Sequence, residues 1–60
     1  MDLRLTLMRS GIDQSEIADH FKVSRQRVWY WVNKRIPTSW EILLRQYFSG
    51  RGVTIYEKKL

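Results

Sequence analysis

A mostly α domain of four short helices, closed by a short strand or an extended tail, is what this 60-residue sequence predicts. Three observations carry that expectation. Between Gln14 and Asn33, apolar residues fall where two short helices crossing at a sharp angle need them: Ile17, Ala18 and Phe21, then Val23, then Val28 and Trp31. Trp40, Leu43, Leu44, Tyr47 and Phe48 follow the i, i+3, i+4, i+7, i+8 spacing of a helix with one buried stripe. Helix stops punctuate the chain at Ser10-Gly11, at Pro37, and at Gly50 and Gly52.

In residues 3–9, Leu3, Leu5 and Leu7 alternate as in a strand, while Leu3, Leu7 and Met8 share a helical stripe. The helix is favoured: Asp2 can cap its start, and Gly11 suits the left-handed residue that ends it. Asp13 opens the second helix with Glu16 three residues on, the spacing of a capping box. Its inner face is Ile17, Ala18 and Phe21. Lys22-Val23 makes the turn, and Ser24 caps a third helix running to Asn33 or Lys34. At about 100° per residue, Val28, Trp31 and Val32 form its buried stripe. Gln26, Trp29, Tyr30 and Asn33 then point away, and Arg25 leans toward the core side.

Beyond Pro37, Thr38 and Glu41 have the spacing of a second capping box, for a helix of roughly residues 39–48. Ile42 projects out of that helix's apolar stripe. Residues 53–56 alternate like a strand before a basic end. The whole chain reads as a single domain, with a helix-turn-helix at 14–33 and a tail at 51–60.

Size and composition narrow the possibilities. A chain this short buries only about 60% of its unfolded surface. Without cysteine, neither disulfides nor thiolate metal sites can supplement the core. Eight aromatic residues help, and a dimer interface is a natural further source of stability. No apolar run approaches the ~18 residues of a membrane span, and no signal-peptide pattern is present, so the expected location is cytoplasmic. One histidine and six scattered carboxylates argue against an enzyme, and no metal or other cofactor is expected.

Charge is unevenly placed. The net charge is +5, yet residues 1–23 hold four acids and three bases. Residues 24–37 hold Arg25, Arg27, Lys34 and Arg35 with no acid at all. The positive field is centred on the third helix and its exit, which favours a phosphate-rich partner. A helix-turn-helix whose second helix enters a DNA groove assigns these groups work. Arg25 and Arg27 can fork onto guanine or hold phosphates, while Gln26 and Asn33 match adenine N6/N7. Trp29 offers apolar surface to a thymine methyl or a sugar, and Tyr30 a hydroxyl to phosphate. Gln14, Ser15 and Ser24 lie at helix starts, where backbone phosphates are gripped, and Lys34 and Arg35 extend that grip.

Residues 3–48 resemble the small helix-turn-helix regulators of temperate phages, of the Cro and repressor N-terminal type, and the related YdaS-like regulators. The matching residues are Gln14, Ala18, Val23-Ser24, Val28 and Trp31, together with the segment RVWYWVNKRIPTSW. The resemblance implies a lambda-repressor-like, Cro-like fold and a repressor that binds a pseudo-palindromic operator in double-stranded DNA as a homodimer. It also implies a C-terminal strand used in dimerisation, with Val53, Ile55 and the outward Ile42 at the subunit contact. One departure stands out: Lys22 occupies a turn position usually held by Gly, at a cost on the order of 1 kcal/mol. Two other readings remain. One is an antitoxin or anti-repressor module docking a protein on Trp29 and Tyr30. The other is an excisionase-like factor that bends DNA.

Overall fold

The computed structural model describes residues 1–58, which form four α-helices and, among the described residues, no strand. They are α1 (Leu3–Ser10), α2 (Gln14–Phe21), α3 (Arg25–Asn33) and α4 (Thr38–Gly50). α3 packs against both α1 and α2.

Local chemistry accounts for most boundaries. The Asp2 carboxylate accepts the Leu5 N–H at 3.0 Å, and Gly11 ends α1 with φ 76°. Ser24 caps α3 by accepting the Arg27 N–H at 3.1 Å. Lys22 is left-handed, with φ 58° and ψ 42°, and the Val23 N–H reaches the Ala18 carbonyl at 3.0 Å. The turn between α2 and α3 thus has the conformation that favours glycine, held by a lysine whose side chain is exposed. At the end of α4, Gly52 has φ 71°, with Val53 N–H on Phe48 O and Gly52 N–H on Ser49 O. That paired closure is a Schellman motif, and it turns the chain back toward α1.

Both expected capping boxes are absent. Asp13 is the N-cap of α2 through its backbone, but its carboxylate accepts the Ser15 hydroxyl at 2.9 Å instead of an amide. α4 starts one residue earlier and runs two residues further than its expected span. Pro37 is its N-cap, and Thr38 is already helical. Glu41 is engaged by Arg45, one turn on, at 2.9 Å.

The core comprises Leu3, Leu7, Ile17, Ala18, Val28, Trp31, Val32, Leu44, Tyr47 and Phe48. Fully burying such a side chain contributes about 1.5–3 kcal/mol, so these ten supply most of the driving force. Two apolar residues expected inside are not. Met8 is exposed, because the buried arc of α1 is Leu3, Thr6 and Leu7, and Met8 lies about 100° past Leu7. Thr6 takes the interior place since its hydroxyl donates to Asp2 O at 2.8 Å and accepts the Tyr56 N–H at 3.1 Å. Leu43 is exposed on the flank of the α4 stripe, and Trp40 is half-buried.

Residues 53–58 form a tail without regular secondary structure. The tail is pinned to α1 by the Asp2 N–H donating to Tyr56 O at 2.7 Å and by Thr6, not by a strand ladder. Val53 and Ile55 are half-buried against the chain's own core. Arg45 then fastens the tail from α4, meeting Glu57 at 2.8 Å while also holding Glu41, and the N-terminal ammonium lies 3.6 Å from each carboxylate. Among the described residues, no helix is long and apolar enough to cross a membrane.

Candidate nucleic-acid interface

α3 is fixed from behind. Val28, Trp31 and Val32 are buried, and the Trp31 ring lies 4.9 Å from that of Trp40 on α4. Because the helical period is set, pinning that stripe turns the other side out. Arg25, Gln26, Arg27, Trp29, Tyr30 and Asn33 are all exposed, Trp29 at 52% and Tyr30 at 48%. Large aromatic rings left half in water on a helix with an intact core face are the unusual feature here.

None of Arg25, Arg27, Lys34 and Arg35 forms a salt bridge among the described residues, and Asp13 interacts with Arg25 only weakly, so the positive field expected at this helix is left largely uncompensated. The amino end of α3 adds its own partial positive charge. Lys34 closes the helix by donating its backbone N–H to Tyr30 O at 2.7 Å, and Lys34 and Arg35 are exposed beyond it.

The amides differ. No protein partner engages the Gln26 side chain among the described residues. Asn33 is engaged at both ends: its Nδ2 donates to Trp29 O at 2.9 Å, and its Oδ1 accepts from the Arg4 guanidinium. Sequence reasoning missed Arg4. It lies 29 residues away from Asn33, and nothing local in either segment signals the contact.

Residues assigned to helix starts also divide. The Ser24 hydroxyl accepts the Arg27 N–H and so keeps its own proton for an incoming acceptor. Ser15 gives its one proton to Asp13, whose carboxyl is held below its ordinary range mainly by that bond. An ionised Asp13 beside half-buried Gln14 and Ser15 makes the start of α2 a poorer phosphate grip than Ser24. His20 is exposed, with its ring 4.5 Å from Tyr47 and 4.7 Å from Phe21, and no group of three metal-ligating side chains gathers among the described residues.

Beside α3 lies an open groove of about 590 Å³, lined by Gln26, Arg27, Tyr30, Trp31, Pro37 and Trp40 among others. Pro37 and Trp40 were assigned only to a helix stop and to core. Their place in the groove follows from the packing of α4 on Trp31, which spacing within one helix does not reveal.

On the opposite side of the site's support, α4 has a distinctive exposed face. Ser39, Ile42, Leu43, Gln46, Ser49 and Gly50 are exposed and fall within one arc of the helix, and none is charged. Of the three residues expected at a subunit contact, Ile42 alone stands well exposed, at 54%.

No protein-family model, curated protein or solved structure matches the chain. The functional reading therefore rests on the residues of this surface.

Proposed function

We propose that the chain is a sequence-specific DNA-binding regulator of the Cro-like helix-turn-helix type, with α2 and α3 as the paired helices and α3 as the reading helix. One observation carries the reading. α3 presents Gln26, Trp29 and Tyr30 to solvent between cations that form no salt bridge among the described residues. A major groove admits one α-helix, and its base edges take an amide or a guanidinium in bidentate pairs. Gln26 and Arg27 are the base-reading pair in this proposal. Arg25, Lys34, Arg35 and Ser24 position the duplex through phosphates. Asn33 is a positioning residue, since its amide is already tied to Arg4 and to the backbone.

The chain acts as a homodimer in this reading, through the outer face of α4. A two-fold contact sets one patch against itself, so any charge on it would face its own copy. The Ser39–Ile42–Leu43–Gln46 face has none, in a chain of net charge +5. Val53 and Ile55 serve the monomer's core and support this contact from within. Two reading heads about 34 Å apart then match a pseudo-palindromic operator, and occupancy of a promoter suffices for repression.

Selection of bound sequences from a random duplex pool tests the reading. A palindromic consensus is expected, with loss of the inverted symmetry in Ile42→Glu. Recovery of no consensus from the wild-type chain would refute it.

A further inference from the structure

The geometry points to a second binding capacity in the groove beside α3: it accepts an unpaired nucleotide, with the base against Trp40 and the phosphate on Arg27. This inference concerns unstacked bases and does not rest on the duplex reading, although Gln26, Arg27 and Tyr30 border both surfaces.

The groove has a floor, a wall and a charge. Its floor is aromatic and braced. Trp40 lies 4.9 Å from Trp31 at an interplanar angle of 36°, and Phe21 meets it edge-on at 5.7 Å. Trp31 is buried and Trp40 half-buried, so the pair is a fixed platform with one ring still accessible. Pro37, with its locked φ, stiffens one end. Gln26 and Tyr30 supply an amide and a phenol for hydrogen bonds. Arg27 is the lone charged side chain among the lining residues, it has no salt-bridge partner among the described residues, and no carboxylate lines the groove.

Charge complementarity fixes the class of occupant. The ligand must be flat and apolar in its body, capable of hydrogen bonding at its edge, and negative at one end. A nucleotide meets all three conditions, and its base stacks on an aromatic ring whatever its identity. A volume of about 590 Å³ lies inside the range of small-molecule sites, and the open mouth also admits one residue of a longer strand. A paired base is closed to this platform because its neighbours already cover both faces. Single strands and free nucleotides share the required chemistry, and the test separates them.

Intrinsic tryptophan fluorescence of the full chain is titrated with an oligothymidylate and with thymidine monophosphate, at low salt. All three tryptophans line the groove, so base stacking is read directly as quenching. Quenching by both ligands assigns the site to free nucleotides as well as strands, and quenching by the oligomer alone assigns it to strands. Trp40→Ala should weaken binding roughly tenfold or more, as expected for loss of one stacking platform. Arg27→Gln and Tyr30→Ala, both at exposed positions, should each weaken it several-fold with an unchanged far-ultraviolet circular dichroism spectrum. They keep the test valid if Trp40→Ala does not fold.

The proposal is overturned if neither ligand quenches. It is equally overturned if polyphosphate of matched charge binds as tightly as the oligomer, or if Arg27→Gln and Tyr30→Ala bind like the wild type. A duplex consensus obtained without any quenching would sink this inference alone. Quenching without a consensus would sink the duplex reading alone.

Discussion

Where α1, α4 and the tail meet, Arg45, Glu41, Glu57 and the N-terminal ammonium are paired with one another, whereas the cations along α3 form no salt bridge among the described residues. Arg45 bridges Glu41 and Glu57, and the N-terminal ammonium sits beside both carboxylates. Its guanidinium is held charged well beyond the usual range, first by Glu57 and then by Glu41. Along α3, Arg25 and Arg27 have no such partners among the described residues, and the acid-free segment continues to Pro37. The same residue type therefore serves two ends. Where a tail must be fastened to a small core, carboxylates are supplied within reach. Along α3 none is supplied within ion-pair distance among the described residues, and the attraction that the proposed DNA partner requires stays available.

The largest expected effect removes what both regions share. Leu44 is fully buried between them, and Leu44→Ala should destabilise the domain by about 2–5 kcal/mol, through lost burial and a residual cavity. Chemical denaturation reads this directly. In a 60-residue domain such a loss is a large part of the total, so the clamp and the α3 surface should melt together. Separate transitions for the tail and for α3 would break the view of one scaffold carrying two unlike faces.

Next come the substitutions that sharpen the α3 side. Gln26→Ala and Arg27→Ala should each cost about 1–3 kcal/mol on a selected operator and much less on random duplex. Lys34→Ala should weaken both alike and lower the salt slope by about 1. Equal losses on specific and random DNA for Gln26→Ala would mean that the exposed amide reads no base. Asn33→Ala should act through Trp29 and Tyr30, whose helix end it ties down, with a smaller shift in base preference than Gln26→Ala.

A smaller effect lies at the turn that sets α3 against α2. Lys22 holds a left-handed conformation that costs a non-glycine residue about 1–2 kcal/mol. Glycine relieves that strain but adds freedom to the unfolded chain worth about 0.4–1 kcal/mol. Lys22→Gly should therefore leave stability unchanged or raise it by up to about 1.6 kcal/mol. Its effect on DNA affinity is limited to the loss of one exposed cation. A destabilised Lys22→Gly would show that the lysine side chain makes a contribution beyond the backbone geometry.

How far the sequence reaches depends on the range of the interaction. Helix number, the Ser24 cap, the glycine at 11 and the exposed Trp29 and Tyr30 follow from periodicity and local hydrogen bonding, and the left-handed Lys22 follows from the helix-turn-helix resemblance; all were legible. What was not legible depends on partners distant in the chain. Thr6 is buried because Tyr56 donates to it, and Asn33 is occupied because Arg4 reaches it from α1. The capping boxes at Asp13 and Thr38 failed for a different, local reason: Ser15 takes the Asp13 carboxylate, α4 already begins at Thr38, and Arg45 one turn on takes Glu41. Val53 and Ile55 alternate as in a strand, yet the alternation serves packing of a single tail segment on the core.

The smallest effect tests the paired side. The two Arg45 hydrogen bonds pull the Glu57 carboxyl from its ordinary 4.5 to about 2, against an opposing desolvation. A carboxylate whose folded value is depressed stabilises the fold fully above its unfolded value, and that contribution disappears as pH falls through the folded value. The tail clamp should therefore be intact above about pH 4.5 and weaken progressively between there and about pH 2. Glu57 is exposed, so water and salt screen the pair, and global stability should change little. The sensitive readout is local: hydrogen exchange at the Tyr56 amide, which Thr6 protects, should quicken in that window for the wild type, relative to the intrinsic rate. Glu57→Gln should show the faster exchange already at neutral pH and no further acid step of its own. Identical protection in both chains across the window would mean that Thr6 and Asp2 hold the tail unaided, and that the pairing of charge on this side is incidental to its order.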